Sequence, residues 1–108
     1  MNETWKTLEA LETLLEERKS ADPQTSYVAK LYGKGDKKIA QKVGEEAVET
    51  AMAVAADDNE ELVAESADLM FHLMVLLKAR GLSLSDVAAE LAVREGLSGL
   101  DEKANRHD

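Results

Sequence analysis

The 108-residue chain carries 22 acidic against 13 basic side chains, a formal net charge of −9, and no Cys. Such a balance disfavours a nucleic-acid duplex or an anionic membrane surface as main partner, and the missing Cys excludes disulfides, thiolate zinc sites and Cys nucleophiles. A 44% hydrophobic composition with only 4% aromatic residues and one Pro is that of a single all-helical domain.

The first segment, "ETWKTLEALETLLEERKS", spaces Trp5, Leu8, Leu11, Leu14 and Leu15 for a helix that Asp22-Pro23 stops. Ser26 is a suitable N-cap for a short helix, "YVAKLY", ended by Gly33 and Gly35. Asp36 starts a long helix, and "ADDNEE" turns the chain, Asp58 with Glu61 resembling a capping box. A second long helix, "EELVAESADLMFHLMVLLKAR", ends at Gly81; Ser83 opens a last one closed by Gly96. The expected architecture is a helical bundle around a long antiparallel hairpin, residues 1–95, with a tail at 96–108. The N-terminus lacks the basic-then-apolar pattern of a signal peptide, and "LMFHLMVLL" is too short to span a bilayer, so a cytoplasmic location is expected.

The acids of the hairpin raise the functional question. On the second long helix, Glu61, Glu65, Asp68 and His72 fall in one strip about 60° wide, and apolar residues cover the rest. A surface helix shows the reverse proportion, so the strip is expected to face protein or a cleft. Glu49 lies nine residues before Asp58 and Glu65 seven after it; Glu46 lies twelve before and Asp68 ten after. Antiparallel packing therefore sets Glu46 level with Asp68 and Glu49 level with Glu65. The expected core stripe of the first long helix is Ile39, Val43, Ala47, Ala51 and Val54, with Glu46 at its edge. Four carboxylates along one seam need a positive partner. Lys42 is one candidate, but one Lys does not balance four acids. Oxygen donors without Cys select a hard cation, Mg²⁺ or Mn²⁺, which usually shares its shell with substrate phosphates. A di-iron bundle would need Glu followed three residues later by His, and that pattern is absent.

"EAVE" at 46–49 and "ESAD" at 65–68 resemble the E-x-x-E … E-x-x-D signature of the all-α, MazG-like nucleotide pyrophosphohydrolases. The wider context, "SYVAKLYGKGDKKIAQKVGEEAVETAMA", "ADLMFHLMVLLKARGLSLSDVAAEL" and "SGLDEKANR", resembles the phosphoribosyl-ATP pyrophosphohydrolase family of histidine biosynthesis, from about Trp5 to Arg106. The resemblance implies Mg²⁺-dependent hydrolysis of phosphoribosyl-ATP to phosphoribosyl-AMP and pyrophosphate by a helical homodimer. It carries Glu46, Glu49, Glu65 and Asp68 over as metal ligands, matches the doubled Glu at Glu45, and implies the stand-alone form.

For such chemistry Glu45 or Glu49 is the candidate proton acceptor. Lys30, Lys34, Lys37, Lys38 and Lys42 cluster beside Ser26 and Tyr27, a local reversal of charge. Ser26, Tyr27, Lys30 and Lys42 are the expected substrate contacts, Lys34 and Lys37 the expected solvated helix start. His72 is a core histidine or the orienter of a carboxylate. Lys103 and Arg106 in the tail are placed to reach a phosphoribosyl group only if the tail docks on a partner subunit. Val48 and Met52 give the first long helix a second apolar side, which points to an obligate dimer. Two other readings stand beside this one: a house-cleaning pyrophosphatase of non-standard nucleoside triphosphates, and a non-enzymatic helical dimer acting as a binding module.

Overall fold

A computed structural model of the protein describes residues 3–95 and is all-α over them. The elements are α1 (Glu3–Glu17), a 3₁₀ turn (Arg18–Ser20), α2 (Tyr27–Lys34), α3 (Asp36–Ala55), α4 (Asn59–Ala79) and α5 (Leu84–Glu95). The expected tail at 96–108, with Lys103 and Arg106, and the expected stop at Gly96 lie outside the described residues. Among the described residues no helix is long and apolar enough to cross a membrane.

Local chemistry sets the boundaries. Asp22 Oδ1 accepts the Gln24 N–H at 2.9 Å, a turn that Pro23 reinforces after α1. Ser26 Oγ accepts the Ala29 N–H at 3.1 Å and caps α2. The helix runs through Gly33 and ends at Gly35, whose φ of 91° suits glycine and lets one residue close α2 and open α3. At the hairpin turn Asp57 takes φ 55°; its N–H reaches the Val54 carbonyl and that of Asp58 the Ala53 carbonyl, each at 3.0 Å. These two bonds are a Schellman closure, with Asp in the left-handed position that glycine usually fills. Asp58 Oδ1 then accepts the Glu61 N–H at 3.0 Å and caps α4, the expected capping contact. The same closure ends α4: Gly81 at φ 74°, with Leu82 N–H to Leu77 at 2.8 Å and Gly81 N–H to Lys78 at 3.0 Å. Glu12 Oε2 of α1 accepts the Leu84 N–H at 2.7 Å, so α1 caps the start of α5.

α3 and α4 pair antiparallel along their length, as Arg80–Asp36 at 2.9 Å near one end and Glu49–Glu65 toward the turn require. α1 and α2 cover only the half of this hairpin away from the turn. There Leu15, Val28, Leu31, Ile39, Met74, Val75 and Leu84 form the core, with Trp5, Leu8, Leu11 and Phe71 packed against it. Removing a large buried side chain such as Leu31 costs about 2–5 kcal/mol in a core this small. Among the described residues nothing covers the half beside the turn in this way, and Val48 (59%), Met52 (63%) and Val63 (70%) stay exposed.

The stripe that α3 turns inward differs from the one expected. Ile39 is buried and Val43 partly so, but Ala47, Ala51 and Val54 are exposed, while Glu46 and Ala53 are buried. The physical reason lies on α4: Glu46 finds His72 across the seam, and the helix rotates to bring the carboxylate inward at the cost of three small apolar contacts.

Candidate active site

Besides the Asp36–Arg80 pair at one end, Glu46 and Glu49 of α3 make carboxylate contacts across the α3–α4 seam. Glu46, 9% exposed, sets its Oε1 2.6 Å from Nδ1 of His72, itself 5% exposed. The same Nδ1 lies 3.0 Å from the Asp68 backbone carbonyl. Apart from this contact, Glu46 Oε1 is a buried carboxylate oxygen with no hydrogen-bond partner among the described residues. Nearer the turn, Glu65 contacts Glu49 across the seam and Glu61 one turn back on its own helix. The hydrogen bond with Glu49, desolvation and the charges of both neighbours push the Glu65 carboxyl up from 4.5 to about 7. The residue is only partly buried, but its Oε2 is shut off from solvent and has no hydrogen-bond partner. Glu49, Glu61, Glu65 and Asp58 line a cleft of about 340 Å³ floored by Met52, Ala53 and Ala56.

One turn further along α3 the charge reverses. Lys34, Lys38 and Lys42, with Leu31, Gln41 and Glu45, line a groove of about 420 Å³. Gln41 Nε2 donates to Glu45 Oε2 at 3.1 Å. None of the three lysines forms an ion pair with another described residue, so Lys42 does not neutralise Glu46 or Glu49. Glu45 and Glu49 are neighbours at i and i+4, which makes the lysine groove and the acidic cleft consecutive along one helix.

The expected residues thus divide. The structure brings Glu49 to Glu65, as the register requires, and buries Glu46 in the seam opposite His72. Asp68 is exposed; its backbone carbonyl, not its carboxylate, makes the recorded contact. Ser26 is occupied as a helix cap, and the Tyr27 hydroxyl lies 3.0 Å from His72 Nε2. Lys30 is exposed and does not line the lysine groove, whereas Lys34 and Lys38 do. The sequence reading placed Glu61 on one strip with Glu65 and Lys38 in the lysine cluster, but carried neither forward as a site residue, although each stands four residues from one that it did, Glu65 and Lys42. Among the described residues no three His, Asp or Glu side chains converge into a ready-made metal cage.

Residues 8–95 match the family model described as phosphoribosyl-ATP pyrophosphohydrolase. The chain belongs to the phosphoribosyl-ATP pyrophosphohydrolase family. It is 61% identical over 102 residues to the phosphoribosyl-ATP pyrophosphatase of Erythrobacter litoralis, covering 94% of this chain and 98% of that protein. It is 58% identical over 100 residues to the phosphoribosyl-ATP pyrophosphatase of Rhizorhabdus wittichii, covering 93% of this chain and 94% of the relative. It also aligns, at 59% identity over 90 residues, with 44% of the histidine biosynthesis bifunctional protein HisIE of Escherichia coli, covering 83% of this chain. Membership in the phosphoribosyl-ATP pyrophosphohydrolase family agrees with the E-x-x-E and E-x-x-D quartets lying on facing helices.

Proposed function

We propose that the chain hydrolyses phosphoribosyl-ATP to phosphoribosyl-AMP and pyrophosphate, a step of histidine biosynthesis, at the acidic cleft of α3 and α4 and the lysine groove of α2 and α3, and that it does so in the cytoplasm with a divalent cation. The family and its named relatives support the reaction. The cation reading is carried by one observation: Glu46 Oε1 and Glu65 Oε2 are buried carboxylate oxygens with no hydrogen-bond partner among the described residues. A buried, unsatisfied anionic oxygen is costly unless a cation takes it up. Glu46, Glu49, Glu65 and Asp68 supply only hard oxygen donors, which fits Mg²⁺ or Mn²⁺. Mg²⁺ commonly fills its shell with one or two carboxylates, water and substrate phosphates, and so does not require a closed protein cage. When bound, such an ion would neutralise phosphate charge and acidify a water.

The remaining work falls to the chain. Lys34, Lys38 and Lys42, with no ion-pair partner among the described residues, line one groove, a cradle for the triphosphate and the departing pyrophosphate. Glu45 borders that groove, outside the carboxylate contacts of the cleft and oriented by Gln41, and is the carboxylate available to accept the proton of the attacking water. Glu49 faces Glu65 and serves the cation. The exposed Val48, Met52 and Val63 beside the turn are the surface that a second copy would cover, and we take the working form to be a homodimer.

The test is pyrophosphate release from phosphoribosyl-ATP with and without Mg²⁺, beside ATP, dUTP and dCTP. Metal-dependent turnover of phosphoribosyl-ATP, abolished in Glu49→Gln and Asp68→Asn, is expected. Preference for a simple triphosphate would move the assignment to a house-cleaning hydrolase. Release from none of them by folded protein would leave only a binding module.

A further inference from the structure

We propose that Tyr27 and His72 form a positioning relay for Glu46, so that Tyr27 orients the acidic seam and does not contact substrate; the inference rests on the cation reading above. Three distances carry it. His72 Nδ1 faces two acceptors, the Asp68 carbonyl at 3.0 Å and Glu46 Oε1 at 2.6 Å, so this nitrogen bears the ring proton. In the neutral imidazole Nε2 is then the acceptor, and the Tyr27 hydroxyl 3.0 Å away is its donor.

The ring is held from the sides as well as from its nitrogens. Phe71 meets it edge-on with centroids 5.1 Å apart, Tyr27 meets it edge-on at 6.2 Å, and Tyr27 and Phe71 lie near-parallel at 6.3 Å. Ser26 caps α2 immediately before Tyr27, which fixes the phenol's point of attachment. The imidazole therefore has one tautomer and one orientation. Nδ1 lies between the Asp68 carbonyl and Glu46 Oε1, so the orientation of the ring sets where that carboxylate oxygen stands, and Oε1 keeps lone pairs for a cation. An outer group that fixes the tautomer of a histidine, and through it a ligand carboxylate, typically changes metal affinity about 10–100-fold when removed. Tyr27 is half exposed, so its hydroxyl can be removed without emptying the core.

Three measurements on the full chain test the relay, with His107→Gln as background so that His72 is the one imidazole observed. Long-range ¹H–¹⁵N correlation on cation-free protein is expected to show His72 protonated at Nδ1, with its Nε2 signal shifted in Tyr27→Phe. Titration with Mn²⁺ alone, read by electron paramagnetic resonance, is expected to show about tenfold weaker binding in Tyr27→Phe. Kinetics with phosphoribosyl-ATP are expected to show the loss in cation half-saturation and kcat, with KM moving least. A proton on Nε2, or Mn²⁺ affinity unchanged in Tyr27→Phe, would overturn the relay. A rise confined to KM would overturn it in favour of direct substrate contact. Failure of the unmutated protein to bind Mn²⁺ would overturn the cation reading itself, whatever the tautomer.

Discussion

Glu49 on α3 and Glu65 on α4 meet carboxyl to carboxyl across the seam, with Glu61 joining from one turn away, and the Glu65 carboxyl rises to about 7 as a result. Without a cation this contact opposes folding above that pH. Below about 4.5, the ordinary value, Glu65 is protonated in folded and unfolded chains alike, and the contact exacts no penalty. As pH climbs from 4.5 to about 7 the unfolded chain gives up its proton first, so stability falls, and above about 7 the whole penalty is present. The expected outcome is a negative contribution to the slope of Tm against pH over that window in chelator-treated protein, abolished by Glu65→Gln and reduced by millimolar Mg²⁺. Melting curves by circular dichroism at several pH values check it; an unchanged slope in Glu65→Gln would rule it out.

The same pair shows what the sequence carries and what it does not. Helix count and caps depend on residues close in sequence, and the structure reproduces them: Ser26, Asp58 and Gly81 all act where their residue types suggest, whereas of the two acid pairs expected about Asp58 only Glu49 with Glu65 is in contact, Glu46 meeting His72 instead of Asp68. The rotation of α3 about its axis depends on a partner 26 positions away, His72, so a hydrophobic wheel put Glu46 at the edge and Val54 inside when the reverse holds. Lys30 and Lys38 are equal in composition and charge. Only the angle between α2 and α3 decides that Lys38 lines the groove and Lys30 does not, and no local pattern encodes that angle.

The lysine groove leads to a prediction about binding. Lys38→Gln and Lys42→Gln should each raise the KM for phosphoribosyl-ATP about tenfold, ~1.4 kcal/mol, near the lower end for hydrogen bonds to charged groups because these lysines stay solvent-accessible. Lys30→Gln should change KM by less than about threefold, under ~0.7 kcal/mol. The dependence of KM on ionic strength should weaken in the first two variants and persist in the third. Steady-state kinetics at low and high salt decide it; equal effects at Lys30 and Lys38 would contradict the groove.

The apolar surface beside the turn leads to another. Val63→Lys places a charge on the face with the greatest exposure among the hairpin's large apolar side chains. In the proposed dimer that charge is buried without a partner, which costs several kcal/mol and should shift the protein to monomer at micromolar concentration. Sedimentation velocity is the measurement. A monomeric wild-type protein would refute the pairing, as would an undisturbed dimer in Val63→Lys.

Tyr32, unlike Tyr27, serves the fold. Its hydroxyl donates to the Leu15 carbonyl at 2.9 Å, where α1 gives way to the 3₁₀ turn, and so ties α2 to the end of α1. Burial, assisted by the Glu16 charge, raises the phenol from 10.0 to about 12. The folded state therefore keeps this proton longer than the unfolded chain, and the stability tied to it is present below pH 10 and fades as pH climbs toward 12. Tyr32→Phe removes the donor and leaves the carbonyl short of a partner, at a cost of ~1 kcal/mol near neutral pH. Cation affinity and KM should not change, because Tyr32 lines neither the cleft nor the groove. Urea unfolding and Mn²⁺ titration of Tyr32→Phe beside Tyr27→Phe separate the two roles: the first is expected to lose stability with Mn²⁺ binding intact, the second to bind Mn²⁺ about tenfold more weakly with the smaller change in stability.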